Sequence, residues 1–278
     1  MKFFKPLGSL CALAFAFSSP AQGQGQGQER SEAELSAEDR AAVEGALNRG
    51  LLLRRYDQAA WHATDALRED VKDLGASGIR GWIVNDLEQG LEVVFYRPVA
   101  DRFEAVWSGI YSEGEVKSRT VHDASQRYLT EAEAALARAG RIPAKEEIQR
   151  CSNQPFNTVV MPTGKGDGSL YVYYLVPQAS MDSLPLGGHY RFELRDDKIV
   201  GRRKFTNSCF AFDLGGKKGK GRPAAVTISH LLDPVPTEIH VFSTYAAQLP
   251  IYVMTTQNEL IWASEISGGQ PRLRIVKR

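Results

Sequence analysis

The stretch "SHLLDPVPTEIH", residues 229–240, places two imidazoles, His230 and His240, among two carboxylates, Asp233 and Glu238. Imidazole nitrogens and carboxylate oxygens are the usual zinc donors, and such a set with an open position would support metal-assisted hydrolysis. Glu238 and His240 are two residues apart, so on a strand they share a face. A hairpin register that sets His230 opposite His240 brings two imidazoles and one carboxylate side by side, whereas a shift of one residue turns His230 to the other face. Asp233 and His189, the latter at the mouth of an expected strand in "GGHYR", would complete the ligand set. Pro234 and Pro236 remove two amide donors and forbid a central strand between them. The first expectation is therefore a β-hairpin, with "AAVTISHLL" and "TEIHVFST" as strands and a connection from Asp233 to Pro236. The alternative is a zinc site on His230, Glu238 and His240, and no other cofactor is expected.

Two glycine-rich stretches invite a second kind of chemistry. "DLGGKKGKGRP", residues 213–223, and "MPTGKGDGSL", residues 161–170, set cations among free backbone amides, an arrangement that suits phosphate or an acidic glycan. Neither carries the glycine-lysine-Ser/Thr order of a nucleotide-phosphate loop, and both read as solvated hairpin loops. The chain contains no G-x-S-x-G elbow, H-E-x-x-H helix, C-x-x-C pair or EF-hand loop.

The elements that must position these residues follow from periodicity. Ser36 with Asp39 marks a helix start, and Leu53, Tyr56, Ala60, Ala63, Leu67, Val71 and Leu74 recur at three and four. This predicts an amphipathic helix, broken near Asn48 to Gly50. From Gly81 the period changes to two, and "GWIV", "LEVVFY", "FEAVWSGIY" and "EVKSRTV" read as a small antiparallel meander. Thr130 with Glu133 opens a second helix, "EAEAALARA", closed by Gly140 and Pro143. The remainder alternates short β-rich runs with turn residues. The expected fold is α+β, an N-terminal helix and meander followed by a larger antiparallel β-rich segment.

The first 21 residues have a basic start at Lys2 and Lys5, an apolar stretch from Leu7 to Phe17 and the small residues Ser19-Pro-Ala21. That pattern predicts a secretory signal peptide over 1–21, and Leu10 before Cys11 is too large for a lipid-anchor signal. A Gly/Gln-rich linker over 22–35 follows. The expected division then runs 36–150 for the helix, meander and helical connection and 151–278 for the β-rich segment, the two packed as one unit. Removing the leader leaves 32 basic and 33 acidic residues, a balance that argues against nucleic acid as a partner. No later run is long and apolar enough for a membrane span. Cys151 and Cys209 are then the remaining cysteines, and in an oxidising compartment they are expected to form a disulfide.

"PFNTVVMP", "GGHYRFEL" and "FTNSC" resemble segments of a family of exported proteobacterial proteins to which no activity attaches. The resemblance implies a periplasmic or secreted address and brings no functional residues. The expected role is that of an exported, non-catalytic domain that binds a periplasmic protein, a glycan or a small molecule. The other expectation is the metal-assisted hydrolase at residues 230–240.

Overall fold

The computed structural model describes residues 35–180, 182–215 and 221–277. The expected leader, nearly all of the expected linker and the lysines at 217, 218 and 220 lie outside the described residues. The described chain is α+β and mostly β, as expected.

Helix α1 (Ala37–Asp70) starts where Ser36 accepts the amide of Asp39 at 3.0 Å, with Glu38 and Asp39 in the first turn complementing the helix dipole. It is not broken at Asn48 to Gly50, because Gly50 serves a different purpose: the Val241 side chain of a second helix, with the Glu238 carbonyl behind it, packs so close that a Cβ would clash. Its apolar stripe, Leu53, Tyr56, Ala60, Ala63 and Leu67, is buried. A short helix, α2 (Leu74–Ser77), ends at Gly78, and a meander follows in the order β1 (Gly81–Leu87), β2 (Gly90–Val99), β3 (Arg102–Ser112) and β4 (Glu115–Val121). Helix α3 (Glu131–Ala139) is opened by a reciprocal capping box between Thr130 and Glu133.

A second antiparallel sheet orders β5 (Asn157–Pro162), β6 (Leu170–Leu175), β8 (Tyr190–Arg195) and β9 (Lys198–Lys204). The short strands β7 (Ser183–Pro185) and β10 (Ala211–Asp213) pair with each other. Cys151 and Cys209 are disulfide-bonded, with Cα atoms 5.4 Å apart, joining the approach to β5 to the approach to β10. The last sheet holds β11 (Val226–His230), β12 (Ile251–Thr255), β13 (Leu260–Ser267) and β14 (Gln270–Lys277).

The expected hairpin at 229–240 is corrected by this sheet. β11 pairs with β12 in parallel, and "TEIHVFST" belongs to helix α4 (Glu238–Ala247), which carries the chain across between the two strands. Eight of the ten α4 residues are buried. A helix buried all round has no polar face to betray its period, and Glu238, His240 and Phe242 at spacing two imitate a strand. The start signal was Thr237, whose amide donates to Nδ1 of His240 at 2.9 Å, with the imidazole standing where a glutamate commonly completes a capping box.

One core cluster draws on α1, the meander, the second sheet and α4 together, through residues such as Leu53, Trp107, Tyr173 and Ile239. Another lies between the start of α1, α4 and the last sheet, around Val226, Val241 and Trp262. Helix α1 and helix α4 therefore meet at the seam where the sheets converge.

Candidate functional site

The structure divides the residues of the 229–240 stretch between two partners sets. His230 ends β11 and is 2% exposed; its Nε2 lies 2.8 Å from Oδ2 of Asp233. Asp233 takes both its oxygens to Nη2 of Arg203 at 2.8 Å, and although burial opposes ionisation, the His230 hydrogen bond and Arg203 hold its carboxyl below the ordinary value. His240 stands edge-on to His230, ring centroids 4.7 Å apart. Its Nδ1 is taken by the Thr237 amide, and burial, reinforced by His230, pushes its pKa well below the usual imidazole range. His240 is therefore neutral.

Glu238 is not with them. Its carboxylate accepts from the guanidinium of Arg191 and from the Tyr173 hydroxyl at 3.1 Å, and Arg49 of α1 reaches it at 3.2 Å. Burial would raise its pKa, but Arg191 and Arg49 together outweigh burial and hold the group ionised. His189 is also committed elsewhere: Nδ1 accepts the Val176 amide and Nε2 donates to the Pro185 carbonyl, both at 3.1 Å. Burial lowers its pKa to about 4. The zinc set of His230, Glu238 and His240 with His189 and Asp233 is therefore not assembled as the hairpin register would require. Among the described residues, no three His, Cys, Asp or Glu side chains are grouped to hold a metal. What the stretch builds is a buried, charge-paired anchor for the N-terminus of α4 on the second sheet and on α1.

One and a half turns further along the same seam the packing opens into a cavity of about 780 Å³. Its floor is a face of α1, where Arg54, Asp57, Trp61, Thr64 and Arg68 recur at alternating spacings of three and four. Phe242 and Tyr245 of α4, Trp82 of β1 and Leu184 of β7 supply the aromatic and aliphatic walls, and His189 closes the back. A volume of this size lies inside the range of small-molecule sites, on the order of 300–1,000 Å³.

The charges on this floor differ from those elsewhere in the seam. Glu238 and Asp233 are satisfied by arginines, and Arg68 pairs with Asp65 at 3.3 Å. Asp57, partly buried, has no hydrogen bond and no ion pair among the described residues. Burial pushes its carboxyl up to about 6, with Arg54 pulling in the opposite direction. Arg54 is likewise without an ion pair, its guanidinium lying 6.0 Å from the ring centroid of Tyr245; burial lowers its pKa against the opposing pull of Asp57, Tyr111 and Tyr245. A desolvated carboxylate of shifted pKa facing a cleft is the pattern that marks functional sites.

Sequence reading missed this site. The polar stripe 54–57–61–64–68 was visible at helical spacing, but a polar helix face ordinarily faces water. Only α4 and the segment after β6, distant in sequence, convert it into the floor of a cavity. No family model matches the chain, and neither does any curated protein or solved structure.

Proposed function

We propose that the protein is an exported, non-catalytic binding protein that takes a small organic molecule into the cavity between α1, α4 and the segment following β6. The observation that carries this reading is the cavity itself: apolar walls with two charged groups, Arg54 and Asp57, that form no hydrogen bond or ion pair among the described residues. Apolar walls give affinity by area removed from water, and a few fixed polar groups give orientation. An oxidising, extracytoplasmic address is supported by the leader pattern of residues 1–21 and by the Cys151–Cys209 disulfide. No helix among the described residues is long and apolar enough to cross a membrane.

The test is a thermal-shift screen of small molecules against the mature chain, repeated on Ala246→Trp. Ala246 lines the cavity from α4 and is only partly buried, so an indole there takes up cavity space. Ligands that raise the melting temperature of the wild type and lose at least tenfold in affinity on the variant support the reading. Ligands bound equally by both, or a screen that yields none, overturn it. Trp61 and Trp82, two of the four tryptophans, line the cavity and report occupancy by fluorescence.

A further inference from the structure

We propose that the cavity recognises a zwitterionic α-amino compound, an amino acid or short peptide with an apolar side chain, whose carboxylate meets Arg54 and whose ammonium meets Asp57. This rests on the binding reading above and names the class of ligand at that same site.

Arg54 and Asp57 form no hydrogen bond or ion pair among the described residues. Arg54 and Asp57 are three residues apart on α1, so their Cβ atoms lie on one face, about 5–6 Å apart. Both line the same cavity, yet their charged ends do not close on each other: no ion pair joins them within 4.0 Å. Surrounding ionic groups behave differently. Arg49 and Arg191 close on Glu238, Arg203 on Asp233 and Arg68 on Asp65. The Arg54–Asp57 couple is thus an opposite-charge pair held open toward a shared space, and a ligand carrying the complementary couple satisfies both ends.

Charge balance then selects among ligands. A simple carboxylic acid drawn to Arg54 brings its negative charge near Asp57, and a simple amine drawn to Asp57 brings its positive charge near Arg54. In a partly desolvated cavity these like-charge contacts are weakly screened. A zwitterion meets each group with the opposite sign and carries no net charge into the site. The third charged residue on the floor, Arg68, is already neutralised by Asp65 and does not upset the balance.

The walls identify the remainder of the ligand. Trp82, Phe242 and Leu184 offer apolar surface to a side chain, and Trp61, 53% exposed, stands at the rim tilted against His62. A half-exposed tryptophan beside a cavity supplies a stacking face to whatever enters. The volume of about 780 Å³ leaves room beyond a single amino acid, which admits dipeptides. The carboxyl of Asp57, pushed up to about 6 by burial against the opposing pull of Arg54, is further stabilised in its ionised form by an ammonium partner.

Calorimetric titration tests this with L-phenylalanine and L-leucyl-L-phenylalanine against two single-charge analogues, 2-phenylethylamine and 3-phenylpropionate, at pH 7.5. At least one zwitterion is expected to bind at least tenfold more tightly than either analogue. D57N should then cost that zwitterion at least tenfold while sparing or improving 3-phenylpropionate, and R54Q should do the same with 2-phenylethylamine spared; circular dichroism checks that both variants fold. Equal affinity of zwitterions and analogues, or zwitterion binding insensitive to both substitutions, overturns the assignment. If neither zwitterion binds while other screened molecules are displaced by Ala246→Trp, the cavity remains a binding site and the zwitterion proposal alone fails. If nothing is displaced by Ala246→Trp, both readings fail together.

Discussion

A Cβ placed on Gly50 of α1 would stand 2.6 Å from Cβ of Val241 on α4 and 3.0 Å from the carbonyl oxygen of Glu238. The two helices touch backbone to side chain at this point, and the spacing of everything further along the seam follows from it. Arg49 reaches Glu238 on one side of the contact, and Arg54 approaches the Tyr245 ring on the other.

Gly50→Ala therefore forces the helices apart despite the better helix propensity of alanine. The overpacking cost is expected to be about 1–3 kcal/mol, read as a lower urea midpoint at unchanged slope. A variant as stable as the wild type, or more stable, would show that the helices do not meet so closely.

Asp57→Asn should raise stability at pH 7.5. The folded-state pKa of about 6 lies above the ordinary value of 3.8, so the folded chain binds more protons than the unfolded chain between those two pH values. Stability attributable to this group is thus complete in acid and is lost as pH rises through that window. The gain from asparagine is on the order of 1 kcal/mol after allowance for partial solvent screening, and it disappears near pH 4. The charged and titratable groups around Asp57 are Arg54 and Arg68 on α1, Tyr245 on α4 and His189 at the back. His189, at about 4, is neutral across most of the window. Melting curves of both proteins from pH 4 to 8 decide the matter: a difference that does not change with pH would exclude a raised carboxyl. Higher stability with lost ligand binding is the signature of a residue kept for function.

Glu238→Gln is expected to be among the most damaging single changes. It leaves Arg49 and Arg191 at the α4 terminus without their counter-charge, at a cost on the order of 3 kcal/mol. Because the folded pKa of Glu238 is lowered, its contribution is present above the ordinary carboxylate range and is lost as pH falls through the folded value. The gap between wild type and variant should therefore close on acidification, which chemical denaturation at pH 7 and pH 3.5 measures. A gap that is equally wide at both would mean that the interaction is not ionic.

Cys151→Ser or Cys209→Ser opens a loop of sequence separation 58, for which the chain-entropy estimate is about 4 kcal/mol. Thiol titration of the mature wild-type chain in denaturant without reductant should find no free thiol. Two free thiols would remove the disulfide from the account.

The amino-acid order alone determined the local elements whose signals are local. Thr130 and Glu133 cap each other within one turn, so α3 was readable to the residue at its start. The period-two runs from Gly81 onward became the meander, and the two cysteines of the expected mature chain found each other. The apolar stripe of α1 was equally plain, since a helix with one wet face advertises its period.

Tertiary structure decided everything that depends on what lies opposite a residue. Gly50 read as a break, but it is the contact point of a helix some 190 positions away. "TEIHVFST" read as a strand because a helix buried on every side shows no amphipathic period, and its burial is conferred by α1 and two sheets. His230 and His240 do come together, but through a helix rather than a hairpin register, and that geometry turns Glu238 toward Arg191 instead of toward the imidazoles. Arg54 and Asp57 lie off the apolar stripe of an amphipathic helix. Whether such a face meets water or a cavity is fixed by long-range packing, in which α4 and the segment after β6 roof the floor that α1 provides, and no spacing within α1 encodes it.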